Sequence, residues 1–503
     1  MDTVDEERLP VVVSAGQSLE RVEVVSAVDL ATRAAEAAFE GLGDLRRAIE
    51  VVSMVNILSP APPDPASAVA RRLGLSPQRA EVTTIGGNSP QWLVNRAAAA
   101  IAAGERQAVL VVGAEAQRSA KQAREAKQSR PATRPPGSSP SSSQRPAGSE
   151  PDPVIGDARS GVSAAELNAG LIAPVHVYAM FESVLAHSAG RDYETQRRAL
   201  GDLMAPFTEV AAANPFAWFA ESRRPEELAT ISPDNRLVAE PYPKRMCAVL
   251  NVDQGAAVVV TSLAAARRAG VEDRAVFCLA GAEANDVWFP SERPDPGASP
   301  GIAAAAAAAL GAAGLGIDDV GSFDLYSCFP CVVQMAAAAL GVAGDDSRGL
   351  TVTGGLPYFG GPGNNYTLHA IAAMTDRLRR LGGTGLVTGL GWYATKHSVG
   401  LYGSDPPEAG WRTGDTAPAQ AAIDAGAVEV ATEAEGPATV VAGTVVAGAG
   451  GSPAAAPVVA RLTDGRHVAA AAEEDELASV AGCNLVGRHI VVSGPLPRYR
   501  LLG

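Results

Sequence analysis

One structural unit occurs twice in this chain. TTIGGNSPQWLVNRAAAAIAAG (83–104) leads into the strand AVLVVG, and TVTGGLPYFGGPGNNYTLHAIAAM (351–374) leads into GLVTG. Each copy reads as a strand, a Gly-Gly turn, polar capping residues, an alanine-rich helix and a second strand ending in glycine. Such a unit buries its apolar face only against another layer, so the repeat implies two similar α/β halves, near 1–270 and 271–403. The alanines permit close helix packing between the layers. Around the repeat, ERLPVVVSA, IEVVSMVNIL and QAVLVVGAEA read as strands, and SAVDLATRAAEAAFEGLG and SAVARRLGL as helices. In the second half AVFCLAGAEA, VGSFDLYSC, GLTVTGG and TGLVTGLGW read as strands, with PGIAAAAAAALGAAGL and CVVQMAAAALG as helices. This alternation predicts a parallel, helix-covered sheet.

Two stretches depart from that texture. Residues 118–153 are rich in proline, serine and glycine, with basic side chains at their start. They lack the large apolar residues needed to offset the entropy cost of ordering, which predicts a disordered insertion. A basic arm touching anionic phosphates is the competing reading. After a linker at 404–419, residues 420–503 become short strands separated by Gly and Asp-Gly turns. This texture predicts a small β-barrel of the oligonucleotide/oligosaccharide-binding type, which by itself carries no function.

The totals narrow the function classes. A net charge of −14 argues against a general nucleic-acid or membrane-surface role. Five cysteines in 503 residues form no disulfide framework, so a reducing compartment is expected. The acidic start MDTVDEERLP does not read as a signal peptide, and the alanine-rich runs read as packed helices rather than membrane spans. Together these predict a cytoplasmic protein.

The turn of the first repeat is built to present a nucleophile but holds none. Gly86, Gly87, Asn88 and Ser89 precede Pro90 at the start of a helix, where a dipole favours a thiolate, yet no cysteine is there. Asn88 and Ser89 read as helix caps, or Asn88 as a donor to an acyl carbonyl. Glycine pairs such as Gly86–Gly87 and Gly360–Gly361 allow a ligand to approach the backbone, or merely a tight turn. Cys328 and Cys331 have the spacing of a redox pair, with a buried structural thiol as the alternative. No second pair of ligands is spaced for a metal, and none is expected. Lys396 and His397 are candidates for a base or a phosphate-facing cation, against a histidine paired for structure, and Trp392 and Tyr393 are candidate walls of an acyl or pantetheine channel. His369 and His176 read as core or channel residues.

Together, IGGNSPQWLVNRAAAAIAAG, VLVVGAEA, NPFAWF (214–219), AEPYPKRMCAVLNVDQGAA (239–257), FDLYSCFP and TGGLPYFGGPG resemble the thiolase superfamily, over residues 10–403. The likeness is to thiolases of the sterol-carrier-protein type. With the added β domain, the whole chain resembles the mycobacterial-type thiolase-like proteins of type 1. The resemblance implies two similar βαβαβ halves in an α/β/α/β/α layering, plus the barrel. It also places four catalytic motifs. The nucleophilic cysteine falls on Gly87, the Asn-Glu-Ala-Phe or His-Asp-Cys-Phe motif on Tyr326, Ser327, Cys328 and Phe329. The Gly-His-Pro motif falls on Gly360, Gly361 and Pro362, and the Cys-x-Gly motif near Gly389–Gly391. Nucleophile, histidine and second cysteine are therefore replaced.

These readings predict a protein on an acetyl-CoA acetyltransferase scaffold that binds CoA or an acyl-CoA, holds no permanent cofactor and does not perform ordinary thiolysis. Two alternatives remain: an acyltransferase using Cys328 or His397 instead, or a non-catalytic protein whose β domain recruits a further partner.

Overall fold

The computed structural model describes residues 5–128 and 150–502. The first half runs through β1 (Pro10–Leu19), α1 (Ala27–Phe39), β2 (Val51–Met54), α2 (Pro65–Arg72), β3 (Arg79–Thr83), α3 (Ser89–Ala102) and β4 (Ala108–Ala116). Next come α4 (Gln117–Gln128) and the short β5 (Val154–Ile155). An excursion follows: α5 (Ala164–Asn168), α6 (Pro174–Ser188), α7 (Tyr193–Ala213), α8 (Pro225–Ala229), β6 (Leu237–Ala239) and β7 (Tyr242–Pro243). The half closes with β8 (Asp253–Ser262) and α9 (Leu263–Arg268). The second half is β9 (Val276–Asn285), α10 (Pro300–Ala313), β10 (Ser322–Asp324), α11 (Pro330–Leu340), α12 (Tyr366–Leu381), β11 (Thr384–Gly391) and β12 (Lys396–Gly403).

The two halves repeat one plan, as the sequence suggests. Strand order β3-β2-β4-β8-β1 in the first continues into β9-β12-β11-β10 in the second through a short β1–β9 pairing. The sheet is mixed, however, and not parallel throughout. β2 runs parallel to β3 and β4, and β10 to β11, whereas β8 is antiparallel to both β1 and β4, and β12 to β9 and β11. The reason is connection length: β11 and β12 are joined by the tight turn 392–395, which only antiparallel neighbours can use.

Helices α3 and α12 lie centrally, touching each other and strands from both halves. They are buried on almost every side, which explains their alanines and the burial of Gln91, Asn95, Thr367 and His369. Those polar groups bond internally. Gln91 Nε2 donates to Asn95 Oδ1 at 2.8 Å, and Asn95 Nδ2 to Glu283 Oε1 at 2.7 Å and Val399 O at 3.0 Å.

Further sequence expectations need correction. GLTVTGG forms no strand, because its backbone serves a buried carboxylate instead: Asp324 Oδ2 accepts from the N–H groups of Val352 (2.9 Å) and Thr353 (3.1 Å). And residues 118–128, expected to open the disordered segment, are helical within α4. Arg118 there is buried and ion-paired to Asp253 at 2.9 Å, and Ser119 Oγ donates to the same carboxylate at 2.6 Å. At its far end Asp152 is buried too, accepting from Ala66 N–H at 2.7 Å, while 129–149 lies outside the described residues.

Beyond β12, β13 (Arg412–Thr413) pairs with β9 and α13 (Ala417–Ala425) packs on α10, so the stretch expected as a linker is docked on the second half. The C-terminal strands are β14 (Val430–Ala431), β15 (Gly436–Gly443), β16 (Val446–Ala447), β17 (Pro453–Ala455), β18 (Pro457–Leu462), β19 (His467–Ala472), β20 (His489–Ser493) and β21 (Arg498–Leu501). β19-β18-β15-β20-β21 closes on itself through β21–β19, a five-stranded barrel with its own apolar core. It is joined to the body by strand pairing: β16 pairs with β6, and Glu240 N–H donates to Val445 O at 2.9 Å. Among the described residues no helix is long and apolar enough to cross a membrane.

Asp253 opens β8 with no exposed surface. Asp253→Asn leaves the Arg118 guanidinium buried without a countercharge, an expected loss of about 3–5 kcal/mol of stability, measured by denaturant unfolding.

Candidate active site

The turn between β3 and α3 is held by the second half. Gly86 N–H donates to Asn364 Oδ1 (3.0 Å), Asn364 Nδ2 to Asn56 O (3.1 Å), and Thr367 Oγ1 to Gly87 O (2.8 Å). The second repeat thus fixes the turn of the first. Asn88 is already helical (φ −76°, ψ −19°) and makes no capping bond, which corrects the capping expectation. Its Nδ2 reaches Ser398 Oγ at 3.3 Å, and its Oδ1 is buried without a partner. Ser89 Oγ makes a long 3.4 Å contact with Thr84 O. Among the described residues the N–H groups of Gly87 and Asn88 also have no acceptor, leaving two adjacent donors at the start of a fourteen-residue helix.

Several predicted residues converge here. A Cβ placed on Gly87 would collide with the Tyr326 hydroxyl and Leu390 O, and one on Gly389 would lie 2.9 Å from Asn88 Cα. A Cβ on Gly86 would lie 2.9 Å from Lys396 Nζ, and one on Gly391 would be 3.0 Å from Lys396 Cε. The site is therefore Gly86–Asn88, Tyr326, Gly389–Gly391 and Lys396, with the tyrosine and lysine occupying the space that the glycines vacate. Lys396 Nζ donates to Ile85 O at 2.6 Å. Burial lowers its pKa to about 8, with Arg159 adding to the effect and Asp157 opposing it.

Trp392 and Ala394 shape the site's edge from the left-handed region (φ 55° and 51°), a strained conformation for side-chain-bearing residues. The turn is fixed by Tyr178, whose hydroxyl donates to Trp392 O (2.7 Å) and accepts from Ala394 N–H (3.2 Å). The Trp392 ring covers Gly161, and Trp288 Nε1 donates to Ser160 O at 2.7 Å beneath the Arg159 guanidinium. Tyr178, Asn364 and the 157–161 loop were not singled out from sequence. Only Asn364 had a signal, the polar pair closing the second repeat's turn.

Gly360 faces Gln254, and Gly361 together with Pro362 belongs to the loop against Leu356, Val249 and Leu250. His397 follows Lys396 in the strand, so its side chain takes the opposite face. There its Nε2 meets Asp286 Oδ2 at 2.9 Å, Ala394 O at 3.1 Å and Ser299 Oγ at 3.3 Å. Against the effect of burial, the His397 hydrogen bond and charge hold the Asp286 carboxyl below its usual range. Serine and aspartate address the same ring nitrogen, so these three groups tie β9, α10 and β12 together and do not form a relay. Cys328 lies within an aromatic wall of Tyr178 and Phe329, with burial pushing its thiol up to about 12. Cys331 is buried deeper still, its thiol raised further by burial and by Glu182. His369 is held neutral, its pKa lowered by burial to about 3. The roomier cavities are elsewhere: about 610 Å³ between α10, α11 and α13, and about 890 Å³ between residues 231–237 and 447–451.

Alkylation of the native protein at pH 8 is expected to label the half-buried Cys483 well before Cys328, measured by peptide mass mapping. Gly87→Ala forces the Tyr326 hydroxyl aside, with an expected loss of about 1–3 kcal/mol, read by chemical denaturation.

No protein-family model matches the sequence, and neither does a curated protein. Among solved structures, the chain is similar to a monomeric SCP2-thiolase-like protein of type 1 from Mycobacterium smegmatis. Identity is 34%, covering 99% of this chain and all of that one, with a TM-score of 0.83. It shares the fold of an acetyl-CoA acetyltransferase from Syntrophomonas wolfei (18% identity, 79% of this chain, 99% of that chain, TM-score 0.56). It shares it also with the Ltp2–ChsH2(DUF35) aldolase (19% identity, 80% of this chain, 99% of that chain, TM-score 0.61).

Proposed function

This chain belongs to the SCP2-thiolase-like family of the thiolase superfamily, and from that premise we propose that it binds an acyl-CoA thioester at the Gly86–Ser89 turn without ordinary thiolysis. The observation that carries this reading is the Tyr326 hydroxyl standing where a side chain at position 87 would begin. Thiolysis needs a thiolate to hold the acyl group, a base to generate it and a second acid–base group for the leaving carbanion or thiol. Glycines stand at positions 87 and 361, and Gly389–Gly391 contains no cysteine. What the turn offers instead is two adjacent unpaired N–H groups at a helix N-terminus, donors suited to a thioester carbonyl oxygen.

Cys328 and His397 are the groups that could substitute in an acyltransferase, and this reading leaves both unused. A thiol with a pKa near 12 is almost wholly protonated at neutral pH, with a thiolate fraction on the order of one in 10⁵. The His397 ring is engaged on its own side of the sheet. Five unpaired cysteines suit a reducing, cytoplasmic setting, where an acyl-CoA ligand would place the protein in lipid metabolism.

Calorimetry of the full chain with acetyl-CoA and acetoacetyl-CoA is expected to give saturable binding, with no thiol release. Intact mass is expected to show no acetyl increment on Cys328, and Cys328→Ala is expected to bind as the parent does. An acetyl increment mapped to Cys328 would establish a relocated acyltransferase, and absence of any binding heat would remove the thioester reading altogether.

A further inference from the structure

Lysine is scarce in this chain: it occurs four times among 41 lysines and arginines. Three of the four, Lys121, Lys127 and Lys244, carry exposed or partly exposed side chains, while Lys396 is 6% exposed inside the candidate site. The distinction is chemical. Arginine stays charged when buried, whereas a lysine amine can lose its proton and become a nucleophile. Lys396 is buried in the candidate site. The left-handed turn at Trp392 and Ala394 delivers it to β12, and glycines at 86 and 391 leave the space its Cε and Nζ fill. Among the described residues its one hydrogen-bond partner is a carbonyl, Ile85 O, not a carboxylate. The charged groups facing it are Asp157 and Arg159 of the loop over the site. A desolvated amine beside a second cation is the arrangement that favours the neutral, reactive form.

We propose that Lys396 Nζ forms an imine with the ketone of a β-ketoacyl thioester bound at the Gly86–Ser89 turn. This rests on the thioester-binding reading above and adds a covalent step to it. The amine lone pair attacks the ketone carbon, and the C=O π pair moves to oxygen. A proton passes from nitrogen to that oxygen, giving a carbinolamine. Loss of water then breaks the C–O bond and leaves C=N, so both amine hydrogens depart with the ketone oxygen and nothing is oxidised. The thioester carbonyl is left intact, its oxygen facing the Gly87 and Asn88 N–H groups.

The test incubates the full chain with acetoacetyl-CoA and sodium cyanoborohydride, which reduces an iminium to a stable secondary amine. The expected product has the mass of the protein plus the ligand less one oxygen atom, mapped by peptide sequencing to Lys396. Acetyl-CoA, which lacks the ketone, is expected to give no such adduct. Lys396→Arg is expected to lose the adduct. The mapped site in the parent chain decides the matter even if that variant fails to fold. Binding of acetoacetyl-CoA without an adduct, an adduct confined to Lys121, Lys127 or Lys244, or an amide on Lys396 formed without reductant would each overturn the imine and leave the binding reading standing. Absence of both adduct and binding heat would overturn both.

Discussion

The architecture depends on amide side chains from two buried helices seated in gaps left by glycine on the surrounding strands. Gln91 and Asn95 of α3 lie over Gly400 and Gly281, where any Cβ would overlap them, and Asn365, which immediately precedes α12, lies over Gly113 and donates to its carbonyl at 2.8 Å. A fully buried amide is unfavourable unless it is hydrogen-bonded, and these helices reach strand carbonyls and the Glu283 and Tyr402 side chains only because the strands lack side chains at those points. Small residues and polar residues thus depend on each other. Enlarging the glycines would lift the helices, and removing the amides would leave voids. The same rule applies at the candidate site, where Gly86 and Gly391 admit Asn88 and Lys396.

Much of this arrangement was legible because the two repeats announce themselves by period and composition. The alanine-rich helices and the strands that follow them stand where the apolar pattern puts them, as α3, α12, β4 and β11 do. Strand direction was not legible, since it depends on which neighbours a returning strand inserts between, and β8 enters between β1 and β4 only after a long helical excursion. GLTVTGG has the composition of a strand, but Asp324 captured its Val352 and Thr353 amides, a partner 28 and 29 residues away that local pattern does not reveal. Arg118 looked like the start of a solvated stretch because its countercharge, Asp253, lies 135 residues further on.

At the site, sequence named most of the participants but not the geometry among them. Lys396 and His397 are neighbours in the chain, yet the pleat of β12 sends them to opposite faces of the sheet. Cys328 carries the right atom in the wrong dielectric. Tyr326 was recognised only by its motif position. That its hydroxyl would occupy the room vacated at Gly87 is a relation between strands and turns that becomes visible only once both halves are packed.

The barrel's attachment has a consequence for how the molecule comes apart. β6 and β7 belong to the body by sequence but lie in a sheet with β16 and β17, and the His467 ring reaches back to Ser291 O at 2.9 Å. Body and barrel therefore share a seam of backbone hydrogen bonds rather than a flexible tether. A protease that removed the C-terminal strands would expose the edge of β6 as an unpaired template for other chains.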